Sequence, residues 1–77
     1  MNKQRRKRLE EALSFLESSM AIIEEVRDEE QESFDNLPES LQYTERGEQM
    51  EEYISALEEN MDNLSDIIDN LNEIIGE

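Results

Sequence analysis

The sequence predicts an all-α fold: an antiparallel hairpin of two long amphipathic helices, with a short helical turn in the connection, doubled into a dimeric four-helix bundle. Three observations predict it. Apolar residues recur at alternating spacings of three and four along two long stretches, the signature of a helix with one buried stripe. The single proline, Pro38, stands between those stretches. With 77 residues and no cysteine, the chain is one domain that buries little surface alone and has no disulfides to compensate.

The first helix is expected over about 3–32. Its seam is Leu9, Leu13, Leu16, Met20 and Ile23, spaced 4, 3, 4, 3. Ala12 and Val26 widen the stripe, with Phe15 and Ile22 at its margins. The connection is expected over 33–44, with a short helix at 38–42. Pro38 suits a first helical turn, and Asn36 is a candidate cap for it.

The second helix is expected over about 45–75, with Thr44 as its cap and Glu45 and Glu48 favoured near its N-terminal dipole. From Met50 it reads as four heptads in phase: Met50, Leu57, Leu64 and Leu71 at d, and Ile54, Met61, Ile68 and Ile75 at a. Eight consecutive apolar a/d positions are the pattern of coiled-coil packing. Tyr53, Ile67 and Ile74 at g make the stripe wider than a two-stranded coil uses. Gly47 would mark a kink or push the helix start beyond itself, because glycine inside a helix costs about 1 kcal/mol relative to alanine. Gly76 reads as a stop signal. Met20, Met50 and Met61 read as core filler.

A short connection makes the two helices antiparallel neighbours, and the wide flanks call for more helices. A homodimer meets that need. The alternative is a monomer completed by another protein.

Composition excludes most chemistry. There is no His and no Cys, which removes the commonest general base, the commonest metal ligand and thiol chemistry. Asp62 to Glu73 has acids but no turn-forming glycine, so it is helix surface and not a calcium loop. An enzyme is not expected, nor is any catalytic residue, metal or cofactor. No stretch reaches the ~20 apolar residues of a membrane span. Acids break the apolar run that a signal peptide would need after the basic start, so a cytoplasmic protein is expected.

The formal charge is −15, from 22 acidic and seven basic residues. That charge argues against direct binding of nucleic acid or anionic membrane. Five of the basic residues are Lys3, Arg5, Arg6, Lys7 and Arg8. They either neutralise the acidic end of helix 2 (Asp69, Glu73, Glu77) or form an arm for an acidic partner. Glu24, Glu25, Asp28 and Glu29 belong to a dense acidic run toward the loop. They are either a solvated face or a surface that fits a basic protein groove. Phe34, Leu37, Leu41 and Tyr43 are candidate apolar anchors at the loop end, or a cover for the end of the bundle.

The run from Arg27 to Gln42 (RDEEQESFDNLPESLQ), followed by Glu45-Arg46-Gly47-Glu48, resembles a group of small acidic proteins encoded by phages and prophages of Gram-positive bacteria. The acidic, Leu/Ile-rich second helix is similar to theirs as well. The resemblance implies a mobile-element origin and an accessory role, and it carries no site residues. Two functions are therefore expected: a protein-interaction module that binds a host or phage protein, or an acidic nucleic-acid mimic that occupies a basic nucleic-acid-binding host protein such as a defence nuclease.

Overall fold

The computed structural model describes all 77 residues. Helix α1 spans Lys3–Asp35, α2 Glu39–Gln42 and α3 Glu45–Gly76. The two long helices pack against each other, and α2 packs on α3. The result is an extended helical hairpin, 58 × 15 × 13 Å along its principal axes. No helix is long and apolar enough to cross a membrane.

Helix α1 opens on Asn2, whose side-chain oxygen accepts the Arg5 N–H at 2.8 Å and so satisfies one of the free donors of the first turn. It ends three residues past the expected boundary. Phe34 continues the 4, 3 spacing of the seam, and the Gln31 amide donates to the Asp35 carboxylate at 3.1 Å across the last turn. Asn36 closes α1, its N–H donating to the Glu32 carbonyl at 3.0 Å while the Leu37 N–H donates to the Phe34 carbonyl at 3.1 Å. It therefore does not cap the short helix; Pro38 takes that position.

Thr44 stands at the cap position of α3 with extended backbone, but its side chain does not cap. The hydroxyl donates instead to the Leu41 carbonyl, holding α2 closed. Helix α3 runs unbroken through Gly47, so the expected kink or delayed start does not occur. The reason is a close approach. A Cβ at position 47 would lie 2.6 Å from the Gln42 carbonyl carbon and 2.8 Å from its Cα, and closer still to its oxygen. The backbone of α2 occupies the space a side chain would need. Gln42 is tied down in turn, its amide donating to the Phe34 carbonyl at 3.3 Å and the Leu37 carbonyl at 3.2 Å. Gly76 lies inside the last helical turn, and no residue adopts a left-handed backbone there.

Burial is uneven. Only Gly47, Met50 and Ile54 are buried, all at the loop end of α3. The seam residues from Leu9 to Ile23 and from Leu57 to Ile75 are half-buried. The chain exposes 5988 Å², whereas a globular monomer of 9.1 kDa exposes about 4,900 Å². Two helices alone leave their apolar stripes partly wet.

Candidate interaction surface

Heptad positions decide which flanks meet. In α1, Leu9, Leu16, Ile23 and Glu30 fall at d, and Leu13, Met20, Arg27 and Phe34 at a. Antiparallel packing sets the e edge of one helix beside the e edge of the other, and g beside g. A shallow groove confirms the e side: Gln31, Glu51 and Glu58, all at e, line it with Phe34, Ile54 and Ser55. Glu10, Glu17 and Glu24 continue that edge along α1.

The opposite side is different in kind. Ala12 and Val26 at g, with Phe15 and Ile22 at c, face the same way as Tyr53, Ile67 and Ile74 at g of α3. Phe15 is 66% exposed, Ile22 61% and Tyr53 52%. Of the 22 acidic residues only Glu29 and Glu77 occupy g or c positions. A chain of charge −15 thus keeps one entire side almost free of carboxylates and lines it with large apolar groups. Monomeric proteins rarely leave such a surface uncovered.

The loop-end anchors do not form one exposed cluster. Phe34 belongs to α1 and is half-buried in the seam, and Leu37 is half-buried as well. Leu41 and Tyr43 are outward, Tyr43 at 77%. Glu24, Glu25, Asp28 and Glu29 are all exposed; they spread over an outward arc of roughly 150° at about 100° per residue. Glu24 and Asp28 share the e side, whereas Glu29 borders the apolar side.

The basic cluster makes no ion pair with Asp69, Glu73 or Glu77, because the molecule's only ion pair is Arg27–Asp28, at 2.7 Å. Direct neutralisation of the acidic helix end is therefore absent. Lys3, Arg6 and Lys7 gather with Glu10 and Ile75 on the e side. Met1, Arg5, Arg8 and Leu9 line a second recess toward the g and c side.

Arg27 and Glu30 went unread in the sequence because they are polar, although their spacing continues the seam. Both are half-buried. The Arg27 pKa is raised above its ordinary value, first by the hydrogen bond to Asp28. Partial desolvation opposes this, and the charges of Asp28, Glu58 and Glu24 add to it. A charge on the seam fixes register and interrupts the apolar layer. Arg27→Leu is expected to raise the melting temperature, because a restored apolar contact outweighs an exposed ion pair. Thermal melts of the two chains at equal concentration check this, and a lower midpoint would contradict it.

No protein-family model, curated protein or solved structure matches the chain.

Proposed function

We propose that this hairpin is a non-enzymatic protein-interaction module. The observation that carries the reading is the side formed by Phe15, Ile22, Val26, Tyr53, Ile67 and Ile74, apolar, exposed and almost free of carboxylates. The neighbouring faces carry nearly all the charge, so association is directed to one side. The likeness of the Arg27–Gln42 run to small phage and prophage proteins supports an accessory role on a host or phage protein in the bacterial cytoplasm.

The test is a double substitution, Ile22→Glu with Ile67→Glu, in a tagged chain expressed beside untagged copies. The unaltered chain is expected to retain stoichiometric protein, its own copies or another chain, which the variant loses. Equal retention by both would sink the reading.

A second reading, the acidic mimic, draws on the segregation of acids to the e edge and the outward arc. Helices there present carboxylates at a density comparable with duplex phosphates. Binding to a basic DNA-binding protein would then weaken at least tenfold between 50 and 200 mM salt. Reversing Glu24, Glu25, Asp28 and Glu29 to Lys would abolish it. Binding that ignores salt and survives the reversal would eliminate the mimic.

A further inference from the structure

We infer that the apolar side is covered by a second copy of this chain, running in the opposite direction, with a two-fold axis beside Ser19. The inference rests on the interaction-module reading and names the partner of the same side.

Area comes first. The hairpin exposes 5988 Å², about 1,100 Å² beyond the expectation for a globular chain of its mass. A standard interface buries about 800 Å² per partner, so one further copy accounts for most of the surplus.

Sequence symmetry comes second. Along the g and c positions of α1 the residues read Arg8, Ala12, Phe15, Ser19, Ile22, Val26, Glu29. Measured from Ser19, Ala12 and Val26 lie seven residues away on either side, and Phe15 and Ile22 lie four and three away. Arg8 and Glu29 lie eleven and ten away, again within one residue of symmetry. A two-fold axis at Ser19 therefore lays Phe15 on Ile22 of the second copy and Ala12 on its Val26. The small Ser19 side chains let the two α1 helices approach at the centre. In α3, Tyr53 and Ile74 lie ten and eleven residues to either side of Asn63, so the opposed arrangement brings Tyr53 toward Ile74 of the second copy. A like-direction dimer would instead lay α1 on α3, with Ile22 facing the Asn60 region of its partner.

Charge comes third. The loop end holds Glu24, Glu25, Glu29, Glu48, Glu51 and Glu52 against only two basic residues, Arg46 and Arg27, the latter paired with Asp28. The open end holds five basic residues that make no ion pair within the hairpin. Opposite directions bring each basic end to an acidic loop end, and in particular Arg8 to Glu29 of the second copy. Like directions would set two intensely negative ends side by side.

Light scattering on a sizing column, combined with a dilution series, tests the inference on three chains. The unaltered protein is expected to have twice the mass of one chain. Arg8→Glu alone is expected to weaken the dimer about tenfold, because two pairs turn repulsive at once. Arg8→Glu combined with Glu29→Arg is expected to restore it. These residues are exposed and outside the seam, so folding is preserved, and circular dichroism verifies that. A dimer weakened further by the second substitution would overturn the opposed arrangement. A chain that is monomeric alone, yet loses co-purifying protein through Ile22→Glu/Ile67→Glu, would overturn the second-copy assignment and leave the interaction module standing. No change of any association in that variant would overturn both.

Discussion

Gly47→Ala is expected to lower the melting temperature, although helix propensity alone argues for the opposite sign. Alanine inside a helix is favoured over glycine by about 1 kcal/mol. Against that stands the collision of the new methyl with the Gln42 backbone, whose carbon and Cα would lie 2.6 and 2.8 Å away. Overpacking costs about 1–3 kcal/mol, and the upper end applies where the obstacle is backbone that cannot swing aside. Gln42 is held further by its hydrogen bonds to Phe34 and Leu37. The net loss is about 1–2 kcal/mol, or a fall of about 5–15 °C in a chain of this size. Thermal circular dichroism measures it. Faster amide exchange at Leu41 and Gln42 would locate the damage in α2. An unchanged or higher midpoint would mean that α2 leaves α3 at little cost.

Ile54→Ala is expected to have the larger effect. Ile54 is 6% exposed, the most covered apolar side chain in the molecule. Truncating a buried isoleucine costs about 2–5 kcal/mol, a large part of the stability a small domain has. The same truncation at half-buried Leu13 should cost distinctly less, because water already reaches that site and less cavity is left. Urea unfolding at one fixed protein concentration compares the two, since association couples to stability. Equal costs would mean that the coverage at Leu13 in solution matches that at Ile54, as a second copy could provide.

Much of the architecture was legible because it depends on spacing alone. The heptads from Met50 to Ile75 define α3, and Pro38 cannot continue a helix, so it separates the long elements. Boundaries were less legible where contacts decide them. Phe34 reads as a loop aromatic until the seam is carried through polar Arg27 and Glu30, after which it is the next core position. Gly47 reads as a weak point because propensity is a single-residue quantity, whereas its role depends on the path of α2.

The candidate surface shows the same division. Phe15 and Ile22 were visible as marginal residues of one stripe, and Tyr53, Ile67 and Ile74 as a flank of another. Only antiparallel packing, which sets g beside g, unites them on one side. The loop-end group fared worse. Phe34 and Leu37 turn partly inward while Leu41 and Tyr43 do not, a distinction that composition cannot carry.

The gathering of the covered residues beside the connection bears on how the chain folds. Contacts close in sequence form early, because little loop entropy is lost in closing them. Met50 and Ile54 are covered next to a connection of nine residues, 36–44, which itself contains a helical turn. The transition state should therefore be polarised toward the turn, with φ-values high around Gly47–Ile54 and low near Leu9 and Ile75. The hairpin would close like a zip drawn from the turn to the open end. The start of α1, synthesised before the rest of the hairpin, would be the last part to settle into place.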